Sequence, residues 1–237
     1  MNIDNIILHF QKELKILSKN NSEIFTKANF GPSKKTRIPL IIDEELSFFV
    51  ATIIGDGHLR RDKFQISIEL SNKELINYIQ NICLILFKRK FNINITKLRE
   101  GKKQTYRIII SNKAIYNLLN IVFNIPRGKK SEIVRIPEII LNSNKSIKSA
   151  FLIGIMLTEG GKRKRGYGLS TASKKLWVDL IKLFSDVGIK VLVDKWIYKK
   201  YQKEYYGISF KGENLYILMR GCRSGQTGQI FINHVQK

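Results

Sequence analysis

The sequence predicts an α+β protein built from two copies of one αββαββα unit, and three observations support this prediction. Apolar residues make up 43% of the 237 residues and only four prolines interrupt them, so most of the chain is expected to be regular structure. The spacing of the apolar residues changes repeatedly from the helical period to strict alternation. A set of landmark residues also occurs twice in the same order.

The duplication is clearest in two apolar runs that each end in an acidic residue followed by glycine. The first run is Phe49–Gly57 and the second is Leu152–Gly160. The corresponding landmarks are Asp56 and Glu159, Lys73 and Lys174, and Lys113 and Lys211, which lie 103, 101 and 98 residues apart. A nearly constant offset over three landmarks indicates a duplicated unit rather than chance similarity.

In the first repeat, the apolar periodicity predicts a helix, a hairpin, a helix, a hairpin and a helix. These elements cover 44–55, 59–70, 73–88, the strands 93–99 and 105–111, and 113–123. The alternation is clearest where Phe64, Ile66 and Ile68 lie between polar residues. The last helix is expected to end before Pro126.

The second repeat follows the same order after a connector that is rich in charge. Its elements are a helix leading through Glu159, a hairpin over 162–171, a helix over 174–187, strands over 189–198 and 205–211, and a helix over 213–219. The predicted organisation is an N-terminal extension at 1–40, repeat one at 41–123, a connector at 124–146, repeat two at 147–220 and a C-terminal tail at 221–237. The extension is polar and is expected to be partly helical, whereas the tail shows no periodicity.

The charge balance is the first indication of function. Lys and Arg total 42 against 19 Asp and Glu, which gives a net charge of +23 and a sequence pI of about 10.0. A polyanion is the expected partner. No stretch approaches the roughly 18 to 20 apolar residues that cross a bilayer, and Asp4 and Glu13 do not fit a signal peptide. We therefore expect a nucleic-acid partner, no membrane, and an intracellular location, either cytoplasmic or organellar.

The two cysteines exclude a zinc site and a disulfide framework from the prediction. Cys83 and Cys222 have no paired spacing, which both of these would require.

The small residues of the apolar runs predict close packing of two helices. Small residues four positions apart share one helix face and let two helices approach closely. These residues are Ala51 and Gly55 in the first run and Gly154 and Thr158 in the second. Asp56 and Glu159 would then emerge side by side at the helix C-terminal ends.

Two carboxylates at helix C-terminal ends are electrostatically unfavourable, because these ends already carry partial negative charge. A divalent cation would neutralise them, and Mg²⁺ is expected because it takes carboxylate, phosphate and water oxygens. Mn²⁺ or Ca²⁺ could occupy the same site, with Ca²⁺ not supporting cleavage. Paired carboxylates and a phosphodiester are the requirements for metal-assisted hydrolysis. For a single motif, a solvated helix end followed by glycine is the favoured alternative. The repetition in register favours a site.

At these residues the sequence resembles a known family. The two runs resemble the paired signature motifs of LAGLIDADG homing endonucleases, and the family's order of elements matches from about Ile38 to Met219. The segments Ile38–Leu40, Lys129–Ser131 and Arg135–Pro137 also resemble the intein and archaeal intron branch. The resemblance implies an antiparallel β saddle with a pseudo-twofold axis and helices on its outer face. It also implies binding in the DNA major groove and double-strand cleavage with short 3′ overhangs, as in intron or intein homing.

The resemblance assigns roles to individual residues. Asp56 and Glu159 fall on the acidic motif position, so both are expected to bind metal and to be catalytic. Lys113, Lys211 and Lys162 match positions where the family places a basic residue near the scissile phosphates. Each of these lysines could instead be an exposed surface residue. The Gln or Lys that often ends the first hairpin is absent here, so its water-organising role is not transferred.

Recognition of the DNA is expected from strand side chains that face the groove. The candidates are Arg61, Lys63, Gln65, Ser67, Lys97, Arg99, Arg107, Lys162, Arg163, Lys164, Arg165, Lys195, Lys199 and Lys203. Any of them could be a solvated charge, because the face depends on the register of the strand. For the aromatic residues of the last hairpin, packing within the sheet is favoured over stacking on nucleotides. They are Trp196, Tyr198, Tyr201 and Tyr205.

Two other functions are compatible with the same fold. One is an intron RNA maturase that assists splicing without cleavage, and the other is a DNA-binding regulator that has lost nuclease activity. Retention of both acids argues for cleavage, because a pure binder does not need two like charges together. A monomer with internal pseudo-twofold symmetry is expected, with double-stranded DNA as its partner and intron RNA as the alternative.

Overall fold

The computed structural model describes residues 14–28, 34–96, 103–163, 166–200, 202–222 and 231. The chain divides into two compact units. One contains the described residues of 1–46 and 57–128, and the other contains those of 47–56 and 129–237. Helices combine with antiparallel sheets in the chain, so the predicted α+β class is confirmed. None of the helices in the described ranges has both the length and the apolar character needed to cross a membrane.

The N-terminal extension differs from its prediction. Its described part is a three-stranded antiparallel sheet rather than a partly helical segment, with strands β1 (Leu14–Lys19), β2 (Glu23–Ala28) and β3 (Thr36–Pro39). Ile24 and Thr26 are buried while Lys27 is exposed, which is the two-residue period of a strand. Arg37 fastens this sheet to the rest of the first unit, because its guanidinium donates to the carbonyl oxygens of Ile85 and Leu86.

The first repeat follows the predicted order. Its elements are helix α1 (Glu44–Gly55), strands β4 (Gly57–Leu59) and β5 (Gln65–Leu70), helix α2 (Lys73–Phe87), strands β6 (Ile93–Ile95) and β7 (Tyr106–Ser111), and helix α3 (Lys113–Asn117). A π-helical turn over Leu118–Val122 continues α3, so the predicted last helix is present in two parts. The predicted end of β6, at 97–99, lies outside the described residues.

The second repeat has the same order of elements. They are helix α5 (Lys145–Glu159), strands β8 (Gly160–Arg163) and β9 (Gly166–Thr171), helix α6 (Lys174–Val187), strands β10 (Leu192–Tyr198) and β11 (Lys203–Phe210), and helix α7 (Leu215–Gly221). The short helix α4 (Glu138–Leu141) lies in the connector. Helix α6 has its predicted bounds because Ser173 caps its first turn and Gly188, at a φ of +91°, ends it.

Each repeat forms one four-stranded antiparallel sheet, and the strand order is the same in both. The orders are β4-β5-β7-β6 and β8-β9-β11-β10. One face of each sheet is buried and the other is open, since side chains alternate along a strand. Ile66, Ile68 and Ile108 are buried in the first sheet, and Leu169 and Ile208 are buried in the second. The shared order is what a duplicated unit predicts.

Within the second unit, helices α1 and α5 approach each other at their small residues, as predicted. A methyl group added to Gly154 would lie 2.8 Å from the Cβ atom of Ala51 and 2.9 Å from the carbonyl oxygen of Phe48. A methyl group on Gly55 would overlap the hydroxyl oxygen of Thr158. The two backbones are therefore closer than larger side chains would permit.

Gly154→Ala tests this packing, because helix propensity and packing predict opposite effects. Alanine favours a helix over glycine by about 1 kcal/mol. The clash with Ala51 and the Phe48 carbonyl should outweigh this gain, so we expect a net loss of about 1–3 kcal/mol in urea unfolding. Gly161→Ala is the matched control, since a methyl group there meets nothing within 4 Å. Stabilisation by Gly154→Ala would contradict the close approach.

Candidate active site

The two acids of the repeated motif meet at the C-terminal ends of helices α1 and α5. The amide of Asp56 donates to the Thr52 carbonyl oxygen at 3.1 Å, so Asp56 continues the last turn of α1. Glu159 is the last residue of α5, and its Cγ atom lies 3.4 Å from the position that a Cβ atom on Gly55 would take. Both acids are exposed, so they are accessible from solvent. The juxtaposition that the motifs predicted is therefore present.

Lys130 places a positive charge at the same point. Its ammonium group donates to the carbonyl oxygen of Ile54 and, at 2.5 Å, to that of Gly55. These carbonyls are among the last of helix α1, where the backbone carries partial negative charge. Lys130 also interacts electrostatically with both Asp56 and Glu159. One ammonium group thus compensates the helix end and the acid pair together.

The environment shifts the pKa of all three groups. Partial burial of the Asp56 carboxylate and the charge of Glu159 raise the pKa of Asp56 to about 6. The charge of Lys130 acts in the opposite direction. Partial burial also raises the pKa of Glu159, and Lys130 again opposes the shift. Burial lowers the pKa of Lys130 to about 8 although both acids act in the other direction. Negative charge on the two acids is therefore unfavourable in this site, and a bound cation would stabilise it.

The donor atoms at this point fit a hard divalent cation. They are carboxylate and backbone carbonyl oxygens, which are the ligands that Mg²⁺ and Ca²⁺ prefer. Among the residues that the structure describes, no group of three or more His, Cys, Asp or Glu is placed to hold a metal ion. A cation held by Asp56 and Glu159 would complete its coordination with carbonyl, water or phosphate oxygens. Such a site is typical of Mg²⁺ bound together with a phosphate-containing substrate.

The connector that carries Lys130 is fastened to helix α6. The Ser173 hydroxyl, which also caps α6, donates to the Val134 carbonyl oxygen at 2.6 Å. The buried Asp179 carboxylate accepts from the Ile136 amide at 3.1 Å and pairs with Arg135 at 3.3 Å. These contacts begin four residues after Lys130, whose own ammonium group is held by the Ile54 and Gly55 carbonyls.

Asp179→Ala should loosen this attachment. It leaves the buried Ile136 amide without its acceptor and removes the partner of Arg135, so we expect a loss of about 1.5–3 kcal/mol in urea unfolding. Asp186→Ala, on the same helix, breaks the ion pair of Asp186 with Lys148 near the surface and should cost less than about 1 kcal/mol. Equal losses in the two variants would be evidence against the anchoring role of Asp179.

A cavity opens beside Glu159 and extends over the second sheet. Its polar lining includes Lys130, Ser170, Thr171, Lys203 and Tyr205. The Lys203 ammonium group pairs with Glu132 at 2.8 Å. The lysines and hydroxyl groups give this cavity the donors that phosphate oxygens require.

The three lysines predicted for catalysis lie in surroundings that differ from that of Lys130. Lys113 lies 4.8 Å from the ring centre of Phe64 in the first unit. The ammonium group of Lys211 lies 3.9 Å from a carboxylate oxygen of Glu213, and Lys162 is exposed on strand β8. Their catalytic roles stay predictions, whereas Lys130 contacts the site directly. The only sequence signals for Lys130 were its place in the basic connector and the family resemblance of that segment.

In the first sheet, the predicted recognition residues of the strands lie on the open face. Gln65 and Ser67 alternate with buried isoleucines, and the amide of Gln65 donates to the Ser111 hydroxyl at 3.2 Å. Arg107 shares this face and pairs with Glu69, to which its Nε donates at 2.9 Å. Three further candidates are exposed in turns, namely Arg61, Lys63 and Lys199.

In the second sheet, the strand register places the predicted recognition residues on different faces. Arg163 lies on the open face and donates to the Ser170 hydroxyl at 3.4 Å, and Lys203 shares that face. Lys195 is opposite Tyr206, so it lies on the face that carries the buried Ile208. Five predicted residues lie outside the described residues, namely Lys97, Arg99, Lys164, Arg165 and Tyr201.

The aromatic residues of the last hairpin contact one another. Trp196 and Tyr205 are cross-strand partners whose rings are nearly parallel, with centres 6.0 Å apart. Tyr198 meets Tyr205 edge-on at 6.4 Å. These contacts agree with packing within the sheet, which was the favoured interpretation.

Comparison with solved structures gives the fold class. The chain matches a structure of mesophilic variants of the homing endonuclease I-DmoI with a TM-score of 0.55 and 16% identity, over 78% of this chain and 91% of that one. It matches the homing endonuclease I-WcaI bound to its DNA recognition sequence with a TM-score of 0.52 and 16% identity, over 76% and 80%. It also matches the N-terminal LAGLIDADG domain of DUF199/WhiA, with a TM-score of 0.51 and 14% identity, over 74% and 79%. The chain therefore shares the fold of LAGLIDADG proteins.

Comparison with curated sequences gives partial matches, and no family model matches the chain. The chain is 30% identical to the replication factor C small subunit of Methanocaldococcus jannaschii over 70% of its own length and 9% of that protein. It is 26% identical to a probable translation initiation factor IF-2 of the same organism, over 77% and 15%. It is also 26% identical to one subunit of the A-type ATP synthase of Pyrococcus abyssi, over 76% and 17%. The match thus spans less than a fifth of each of these relatives.

In the metal-free protein, the raised pKa of Asp56 predicts a loss of stability as the pH rises. The folded protein holds the Asp56 proton more tightly than the unfolded chain does, so protonation favours folding. This contribution is complete below the ordinary pKa of 3.8 and is lost as the pH rises through about 6. We expect the Tm of the wild type in EDTA to fall relative to that of Asp56→Asn over this range. A Tm difference that stays constant from about pH 4 to about pH 6 would contradict the assignment.

Proposed function

We propose that this protein is a site-specific, double-strand DNA endonuclease of the LAGLIDADG type that requires a divalent cation, with Mg²⁺ as the expected ion. The observation that carries the proposal is the meeting of Asp56 and Glu159 at the ends of two closely packed helices, with Lys130 beside them. A protein that only bound nucleic acid would have no use for two adjacent carboxylates on a strongly basic chain.

The similar structures support this proposal. The homing endonuclease I-DmoI has been solved in complex with DNA and Mn, and also in complex with DNA and Ca. The first of these structures matches the chain with a TM-score of 0.55 over 76% of its length, at 16% identity. At this identity, function cannot be transferred from the fold alone. The acid pair provides the independent support.

In the proposed reaction, the deprotonated carboxylates of Asp56 and Glu159 would hold the cation. When bound there, a divalent cation would supply Lewis-acid chemistry, that is, polarisation of the phosphodiester, activation of water and stabilisation of the leaving oxygen. Lys130 keeps the end of helix α1 in place through the Gly55 carbonyl and adds positive charge where negative charge accumulates on the phosphate. Lys203 and the Ser170 hydroxyl, in the adjoining cavity, bind phosphate oxygens of the strand.

The charge of the whole chain supports binding to a long DNA target. A net charge of +23 attracts the phosphate backbone, and every phosphate that is neutralised releases counterions. Affinity is therefore expected to fall steeply with salt. Sequence is read by the side chains on the open faces of the sheets, including Gln65, Ser67 and Arg163.

The curated relatives support a mobile genetic origin. A replication factor, an initiation factor and an ATP synthase have unrelated functions, yet the chain resembles a part of each relative that is at most 17% of its length. A segment that occurs in proteins with unrelated functions is expected to be an inserted element. We therefore propose that the protein acts in intron or intein homing and that its DNA target is the uninterrupted insertion site.

Cleavage of a selected target tests the proposal. The target is a duplex that the wild-type protein enriches from a randomised library, and cleavage is measured in Mg²⁺ with EDTA as the blank. Asp56→Asn and Glu159→Gln should each reduce the rate at least about a hundredfold while binding is retained, because each removes a metal ligand. Lys130→Met should also slow cleavage and retain binding.

Glu138→Gln is the control, because it removes an exposed acid on helix α4 and should leave cleavage unchanged. Cleavage that is unaffected in both acid variants would refute the site. Dependence on one acid alone would indicate a nickase. Binding of DNA without any cleavage by the wild type would indicate a regulator, and preferential binding of structured intron RNA would indicate a maturase.

A further inference from the structure

A second pocket lies on the open face of the second sheet, at the hairpin of β10 and β11. It is lined by Arg163, Asp194, Trp196, Gly207 and Ser209, together with Leu169 and Ile208. Asp194 and Trp196 alternate along β10, and Gly207 and Ser209 alternate along β11, so all four lie on one face. This is the face opposite the buried Ile208. The pocket therefore opens on the side of the sheet that the proposed function assigns to DNA.

Gly207 creates the space in this pocket. It is the cross-strand partner of Asp194, and a methyl group on Gly207 would overlap the Asp194 carboxylate and lie 3.0 Å from the indole of Trp196. On the covered side of the sheet, the Trp177 indole donates to the Gly207 carbonyl oxygen at 3.0 Å. Trp177 thus contacts the Gly207 backbone from the covered face of the sheet, and the Asp194 carboxylate lies over Gly207 on the open face.

The charge of Asp194 is unusual at this place. Among the described residues, no partner forms a hydrogen bond or an ion pair with the Asp194 carboxylate. The pocket also contains hydrogen-bond donors, namely the guanidinium of Arg163 and the hydroxyl of Ser209. It therefore offers both donors and the Asp194 carboxylate as an acceptor. A carboxylate on a DNA-facing surface repels phosphate and lowers affinity. Its presence there is explained if it accepts a hydrogen bond from the DNA.

The bases provide suitable donors in the major groove. The N4 amino group of cytosine is a donor there, and Asp or Glu accepts from it, whereas guanine presents only acceptors at the corresponding position. A carboxylate therefore attracts cytosine and rejects guanine. A side-chain amide has a different preference, because Asn pairs with both N6 and N7 of adenine.

We propose that Asp194, lying over Gly207, is a specificity-determining residue that accepts a hydrogen bond from the exocyclic amino group of one target base, with cytosine as the preferred base. Arg163 and Ser209 supply donors to neighbouring acceptors on the same base edges. This inference rests on the proposed function, since it requires that duplex DNA occupy the open face of the second sheet.

Selection from a randomised duplex library tests the inference with three proteins, the wild type, Asp194→Asn and Glu204→Gln. Glu204→Gln is the matched control, because it also removes one negative charge from this hairpin. Glu204 lies on the other face of the sheet, where its carboxylate accepts from the Tyr206 hydroxyl. Binding is measured with the full-length protein in Ca²⁺, with each enriched duplex compared with its single-base variants. Circular dichroism and Tm establish that the variants are folded.

The wild type should require cytosine at one position, with roughly 5- to 100-fold weaker binding when that base is changed. Asp194→Asn should change the preference at that position alone, towards adenine, and should bind non-specific duplex more tightly because a repulsive charge is gone. Glu204→Gln should keep the wild-type motif. If wild type and Asp194→Asn select the same motif, the inference is wrong while the proposed function stands. If the wild type enriches no motif, the proposed function fails and the inference fails with it.

Discussion

The close approach of helices α1 and α5 is the constraint on which the candidate site depends. Gly154 and Ala51 leave no room for larger side chains, and Gly55 lies directly against Thr158. Because Asp56 directly follows helix α1 and Glu159 ends helix α5, this packing brings the two acids together. The chemistry of the site is therefore a consequence of how closely the two helix backbones pack.

The site that results carries more negative charge than it can hold alone. Two carboxylates and the carbonyls of a helix end lie close together. The raised pKa of Asp56 shows that its negative charge is unfavourable there. Lys130 compensates this charge from a connector that Asp179 fastens to helix α6. The same arrangement explains why the site suits a divalent cation, since a cation relieves the negative charge that the packing concentrates.

The two sheets show how one duplicated scaffold supports different surfaces. Their strand orders are the same, and in each the isoleucine and leucine residues cover the helix side. The open faces differ in chemistry. The first carries the Arg107 and Glu69 ion pair, whereas the second carries the paired rings of Trp196 and Tyr205 and the carboxylate of Asp194. The same strand order therefore supports two open sheet faces of different chemistry.

The sequence by itself determined the αββαββα order, the bounds of helices α1 and α6, and the acid pair, because periodicity, caps and small-residue spacing are local properties of the chain. Two features were decided only by the tertiary structure. The strands of the N-terminal extension were not predicted, since short segments stabilised by pairing carry little local signal. Lys130 is 74 residues from Asp56 in sequence, and only the folded connector brings its charge to the acid pair.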